Sequence, residues 1–441
     1  MKRYLPFFIF FVALSSAYGQ DINRQKLDSL FDILSKKNLT MGNIAISKNG
    51  KIVYQRFMGS AMINDHDTIP ASAKTEYRIG SITKMFTAVL AFQLIQEHKL
   101  SLDDNLAKFF PGLPNAKQIT IRQMMYHRSG LPNFTDKTNF DDWKAVPKTH
   151  DELLAMIAGR KPDFEPGAKA DYNNSNYLLL GYVIEKIYNK SYSNVLNDHI
   201  IRKIGLNSTY YGATGSIYTG NECASYKYFD YKWTKDPKPV FLDNFGGAGA
   251  IISTSADLLK FINALFTYKL VDKHSLDQMK TMIDDYGMGM FPYGAGMHRG
   301  YGHNGKTEGF ASSVSYYPDD NIAIAYCTNG EVYSKNWILD GVRNIVFNES
   351  YIVPAFKSLT LSDIQLGQYT GTYGSPEGIT VVCTNSENNL LLETRGQKLK
   401  LDAIGTDRFM DARFGFFFIF SNAGKHLQIV DVESEYELEK K

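Results

Sequence analysis

Between Met85 and Ile95 the chain shows hardly a polar face. Ile82, Met85, Phe86, Val89, Leu90 and Leu94 recur at helical spacing, and most residues between them are apolar too. A helix from Ser81 to roughly Leu100 with that pattern must be buried on most sides, so the fold has to wrap a central helix in further layers. A chain of 441 residues, 44% hydrophobic and 21% charged, supplies the core for this and room for two or three domains. The same figures exclude wholesale disorder, collagen and coiled coil.

The layers are legible on either side of that helix. Asn43 to Ser47 and Lys51 to Phe57 read as strands joined at Lys48-Asn49-Gly50, where Asn-Gly tolerates the positive φ of a tight hairpin. Helical patterns follow at Ile121 to Tyr126, Asp151 to Ile157, Asn176 to Tyr188, Val195 to Ile201 and Ala256 to Phe266. After Tyr286 the chain turns Gly-rich and strand-like, with Phe310 to Tyr317 and Ile322 to Thr328 either side of a turn, and Trp337 to Phe347 closes with a helix. Strands at both ends with helices between predict an α/β (α+β) unit whose N-terminal hairpin pairs with the later strands. Residues 20–353 are read as this unit and 354–362 as a linker. Residues 363–441 are read as a second domain of short strands, Gly367 to Tyr373 through Leu427 to Val432, forming a small all-β barrel of lipocalin-like kind or a sandwich.

Lys2 and Arg3, the apolar run Leu5 to Leu14 and the small-residue pattern Ala17-Tyr18-Gly19 predict a secretory signal peptide over residues 1–19, hence a periplasmic or secreted protein. The run is short of the roughly 20 residues that span a bilayer. Net charge is 48 − 46 = +2, which offers no global field for nucleic acid or an anionic membrane. Cys223, Cys327 and Cys383 are too few and too scattered for a disulfide framework or a metal knuckle. No H-E-x-x-H occurs, and neither metal nor cofactor is expected. The sequence does not give an oligomeric state.

Three short motifs carry the chemistry. Gly80-Ser81-Ile82-Thr83-Lys84 opens the buried helix with Ser81 and Lys84 on one face, a nucleophile beside an amine that burial deprotonates, at a helix N-terminus that favours a developing anion. The plainer reading is an N-cap serine and a solvated lysine. In Asp171-Tyr172-Asn173-Asn174 an extended backbone points Tyr172 and Asn174 the same way, as a phenolic base and a carboxamide for a substrate amide; an Asn-rich cap with a packing tyrosine is the bland alternative. His303-Asn304-Gly305 suits a strand with His303 on its exposed face and Gly305 where a substrate backbone comes close, or else a turn.

In this order, with Tyr172 about 90 residues after Ser81 and His303 about 130 further on, the motifs resemble the Ser-x-x-Lys serine β-lactamase and penicillin-binding fold. More closely, residues from Leu27 to Phe347 resemble the class C β-lactamase-related serine hydrolases, which include D-alanyl-D-alanine carboxypeptidases, D-aminopeptidases and esterases. Tyr126-His127-Arg128-Ser129-Gly130-Leu131-Pro132, Phe164-Glu165-Pro166-Gly167, Gly247-Ala248-Gly249 and Tyr286-Gly287-Met288-Gly289 reinforce the likeness. The resemblance implies that Ser81 is acylated, that Lys84 and Tyr172 share the proton, and that the backbone N–H groups of Ser81 and Lys306 form the oxyanion hole. It further implies that Asn174 holds the substrate amide and that His303 lines the leaving-group side. The lactamases carry Lys-Thr-Gly where this chain has His303-Asn304-Gly305, and Phe134 stands where they place a glutamine. Both differences point to a peptidase or esterase.

Gly300 to Thr307 also matches the phosphate-loop pattern G-x-x-x-x-G-K-[ST], but no helix pattern follows it to cradle a phosphate, so nucleotide binding is not expected. The sequence therefore predicts an exported serine hydrolase acting on a small-molecule or peptide substrate: a D-alanyl peptide first, an ester or β-lactam second. A silent peptide- or glycan-binding protein is the rival of another kind.

Overall fold

The computed structural model describes residues 22–64, 66–136, 140–212, 220–236, 240–294, 297–394, 396–432 and 434–441. Residues 1–19, expected to be a signal segment, lie outside them. Helix α1 (Arg24–Lys36) precedes the hairpin of β1 (Thr40–Lys48) and β2 (Lys51–Met58), and α2 (Thr83–Gln96) is the central helix. Then come α3 (Asn174–Tyr188) and α4 (Ser255–Phe266). Strands β3 (Phe291–Tyr293), β4 (Gly300–Thr307), β5 (Phe310–Tyr317) and β6 (Ile322–Glu331) follow, and α5 (Lys335–Val346) closes the unit.

These strands form one six-stranded sheet in the order β3-β4-β5-β6-β1-β2. The hairpin turns as the Asn-Gly pair requires, with Asn49 at φ 52° and Gly50 at φ 74°. β1 pairs antiparallel with β6, Ala45 opposite Ala325, which joins the two ends of the unit as expected. Period-two alternation then sorts the faces. Ala45, Ala323, Ala325 and Cys327 face the core that contains α2, α3 and α4, where small side chains let helices lie close. Ile44, Ile46, Ile324 and Tyr326 face the other way, onto α1 and α5. In α2 every residue from Thr83 to Leu94 is buried, so the apolar run is the hub of the larger core.

One expectation needs correction. The first turn of the central helix, Gly80–Ile82, is 3-10, and the α-helix stops at Gln96, before Leu100. The hairpin lies near the start as expected, preceded by α1, a helix not predicted from the sequence, which buries Leu27, Leu30, Phe31 and Leu34 along one stripe. The phosphate-loop letters form a β-strand, β4, which turns at Glu308 and Gly309 straight into β5 with no helix between, in keeping with the rejection of a phosphate loop. That strand is what positions the site.

After an irregular stretch to Ser362, eight strands close into a barrel, consecutive neighbours antiparallel and the first pairing with the last. They are β7 (Gly371–Gly374), β8 (Thr380–Ser386), β9 (Asn389–Thr394), β10 (Gln397–Gly405), β11 (Arg408–Asp411), β12 (Phe416–Ser421), β13 (His426–Val430) and β14 (Glu435–Lys440). Side chains such as Leu390, Leu392, Phe409, Phe418 and Phe420 fill the interior. Phe417 and Val430 point outward into the core formed by α1, α5 and the sheet, so barrel and hydrolase-like unit share a seam.

Candidate active site

The central feature is an amine removed from water. Lys84 is fully buried on the first turn of α2, and its Nζ donates to Ser81 Oγ at 2.9 Å, Asn174 Oδ1 at 2.8 Å and the Ala248 carbonyl at 2.8 Å. Among the described residues no carboxylate pairs with it. Burial therefore holds its pKa well below the ordinary lysine range. An ammonium uses all three N–H groups here. A neutral amine keeps two, to Asn174 and Ala248, and turns its lone pair on the Ser81 hydroxyl, so this geometry allows Nζ to accept the serine proton.

Tyr172 closes the same space. Its ring centre lies 4.9 Å from Lys84 Nζ, and burial drives its pKa above the usual phenol value, an effect the Ser81 hydroxyl partly offsets. At neutral pH it is a phenol, a proton donor rather than a phenolate. Asn173 caps α3 by accepting from Ser175 N at 2.8 Å, which makes Asn174 the first residue of that helix, two positions earlier than the sequence pattern suggested. The backbone N–H of Asn174 donates to Asn133 Oδ1, and its Nδ2 donates to Thr135 Oγ1 at 2.7 Å. One Nδ2 hydrogen is left for a ligand carbonyl.

β4 supplies the facing wall. Gly80, at φ 52°, lies so close to β4 that a Cβ on it would stand 3.0 Å from Lys306 N. A Cβ on Gly305 would stand 1.9 Å from the Ile79 carbonyl oxygen, an impossible approach that only glycine permits. Ser312 Oγ, on β5, donates to the same carbonyl at 2.8 Å and locks the turn that carries Ser81 to the sheet. The backbone amides of Ser81 and Lys306 are thereby brought to one place. Lys306's side chain runs outward to donate to the Val432 carbonyl of the barrel at 2.6 Å.

His303 departs from its expected exposure. It lies mid-strand and is only 2% exposed, with its ring centre 4.5 Å from Phe291 and 6.3 Å from Tyr172. Burial, with Lys84 nearby, pushes its pKa down to about 3, so the imidazole is neutral. Its Nδ1–H donates to the Asn304 carbonyl at 2.5 Å, leaving Nε2 as an acceptor. Phe134 packs among Trp143 and Phe245, and the polar neighbours of Asn174 are the flanking Asn133 and Thr135.

Ser81, Lys84, Tyr172, Asn174, His303, Gly305 and Lys306 thus meet in one place. Sequence reasoning assigned no role to Ala248, Ser312 or His127. His127 is buried, accepts from Asn173 N at 3.1 Å and packs with its ring centre 4.6 Å from that of Tyr172, so it holds the Tyr172 segment in place. Its signal was present in the Tyr126 to Pro132 motif, and that of Ala248 in Gly247-Ala248-Gly249. Ser312 sits in an ordinary strand pattern that carries no signal.

Residues 28–343 match the Beta-lactamase family. A penicillin-binding protein of Bacillus subtilis (strain 168) is 26% identical over 413 residues, 88% of this chain and 91% of that protein. A teichoic acid D-alanine hydrolase of Staphylococcus aureus is 27% identical over 314 residues, 69% of this chain and 74% of that one. The D-amino acid amidase of Ochrobactrum anthropi SV3 shares the fold with a TM-score of 0.64 at 24% identity, covering 74% of this chain and 99% of the amidase. An octameric penicillin-binding protein homologue from Pyrococcus abyssi superposes along 95% of this chain, covering 100% of its own, with a TM-score of 0.67 at 22% identity.

Proposed function

The chain belongs to the β-lactamase family of serine hydrolases, and on that premise we propose that it is an exported hydrolase that forms an acyl-enzyme on Ser81 and cleaves D-alanyl amides or esters. The observation that carries this reading is the Lys84 amine, buried without a carboxylate and held 2.9 Å from Ser81 Oγ. A protein that only bound peptides or glycans would gain nothing from that costly arrangement.

In the proposed cycle Lys84 Nζ, as a neutral amine, takes the proton of Ser81 while Oγ attacks the substrate carbonyl. The N–H groups of Ser81 and Lys306 hold the resulting oxyanion, each such donor commonly supplying about 3 kcal/mol. The proton passes through the Tyr172 phenol to the departing amine or alkoxide, and the C–N or C–O bond breaks. Asn174 donates its free Nδ2 hydrogen to the acyl side, and neutral His303 lines the leaving-group side with Gly305 beneath. Water then gives its proton to the same Lys84–Tyr172 pair, and its oxygen releases the acid and restores Ser81.

Two named relatives, a teichoic acid D-alanine hydrolase and a D-amino acid amidase, act on D-amino acid groups, which supports a D-alanyl substrate. Export, with a cleaved segment at residues 1–19 and a periplasmic or secreted destination, would bring the enzyme to such substrates. Among the described residues no helix is long and apolar enough to cross a membrane. In this reading residues 20–353 form the hydrolase domain, 354–362 the linker and 363–441 the barrel domain. The test is turnover of acetyl-D-alanyl-D-alanine, its L,L isomer and a D-alanyl ester. Hydrolysis of the D-compounds alone supports the reading, and indifference to configuration overturns the D-alanyl assignment.

A further inference from the structure

β4 continues past the chemistry. β3 pairs only with Gly300–Gly302, which leaves the His303–Thr307 edge turned toward Ser81. Beyond Gly305 the Lys306 side chain reaches the barrel, and there the two units enclose a cavity of about 690 Å³, well within the range of small-molecule sites. Its walls include neither Ser81 nor Lys84 nor Tyr172. Tyr226, Phe229 and Phe310 line one side and Leu399, Phe414 and Phe416 the other.

The charges around those rings favour an anion. Lys306, Lys398 and Arg413 border the cavity. Lys306 Nζ meets a neutral carbonyl, and Arg413 pairs with Asp230 at 2.9 Å while lying over the Phe414 ring. Of the acidic residues, Glu308 is engaged by Arg78 at 3.4 Å and by Val240 N at 2.5 Å, and Asp431 accepts from Ser434 N. Glu331 is pushed up to about 7 by burial, so its carboxyl is partly neutral. Its Oε2 is buried with no hydrogen-bond partner among the described residues, a polar atom that a ligand would satisfy.

We propose that this interdomain cavity is a subsite for the distal acyl part of an extended substrate, a segment with an aromatic or aliphatic body and at least one carboxylate. The direction rests on the hydrolase reading: a substrate laid along the free edge of β4 puts its leaving group beside Tyr172 and His303 and carries its acyl end past Lys306. Lys398 and Phe414, both on the barrel, give the segment a cation and a ring. The barrel thereby completes the substrate site.

The probe is N-dansyl-glutamate, an aromatic dicarboxylate, followed by fluorescence. Wild type and Ser81→Ala bind it saturably and alike. Lys398→Gln and Phe414→Ala, with melting temperatures unchanged, each weaken it about fivefold or more. In competition, Ser81→Ala binds N-dansyl-glutamyl-D-alanyl-D-alanine about tenfold more tightly than acetyl-D-alanyl-D-alanine. No saturable signal, equal affinity in both barrel variants, or equal affinity for the two peptides overturns the proposal. The two readings fail separately, because probe binding is read with the nucleophile removed, whereas acylation of Ser81 by a fluorophosphonate reports on the hydrolase whatever the cavity binds.

Discussion

The hydrolase unit and the barrel hold their shapes by different means. Around Ser81 the structure rests on backbone approaches that no side chain can relax: Gly305 against the Ile79 carbonyl, Gly80 against Lys306, and an amine wedged between Ser81, Asn174 and Ala248. In the barrel, alternating apolar residues fill an interior whose requirement is volume, as with Leu390, Leu392, Leu401 and Phe409 packed in one cluster. The difference teaches where substitutions should be felt as lost chemistry and where as lost stability.

The largest effect expected is Ser81→Ala, which lowers turnover on the order of 10⁵-fold or more while the melting temperature stays close to wild type. Lys84→Met lowers the rate of Ser81 acylation about 10³-fold, the upper part of what a positioned base supplies. The pH profile sharpens this. Only the neutral amine accepts the serine proton, so activity falls as pH drops through the Lys84 pKa, and because burial lowers that pKa the acidic limb lies well below the ordinary lysine range. Gly305→Ala forces β4 away from the nucleophile's turn and costs about 10²-fold in acylation, with substrate affinity much less affected. Phe409→Ala reverses the pattern: it removes a ring 1% exposed in the barrel interior and costs about 3–5 kcal/mol in denaturant unfolding, yet leaves acylation of Ser81 unchanged. Arg413→Ala breaks a half-exposed pair with Asp230 and shifts unfolding by no more than about 1 kcal/mol. Loss of acylation with Phe409→Ala would erase the distinction between the two regions.

The same difference decides what could be read from the sequence. The convergence of Ser81, Lys84, Tyr172 and Asn174 was legible because the proposed chemistry demands particular residue types at fixed spacing. Gly305 was legible because a close approach demands glycine. The burial of His303 was not, since the phenylalanine that covers it, Phe291, comes from a three-residue strand with little pattern of its own. Helix α1 carried its apolar stripe openly and was obscured by its place just after the leader-like segment. In the barrel, β14 reads Glu-Tyr-Glu-Leu-Glu-Lys with only Leu438 turned inward, so alternation gives almost no signal and closure of the barrel had to come from the structure. The cavity between the units has no sequence signature either, because Lys306 and Phe414 lie more than a hundred residues apart.

The most direct test of the central claim is intact-mass spectrometry of the protein after exposure to a fluorophosphonate and to a penicillin, beside Ser81→Ala. The account predicts one covalent adduct with each reagent, mapped to Ser81 and missing from the variant. An unmodified wild type that also leaves simple esters intact, or an adduct that survives in Ser81→Ala, would contradict it.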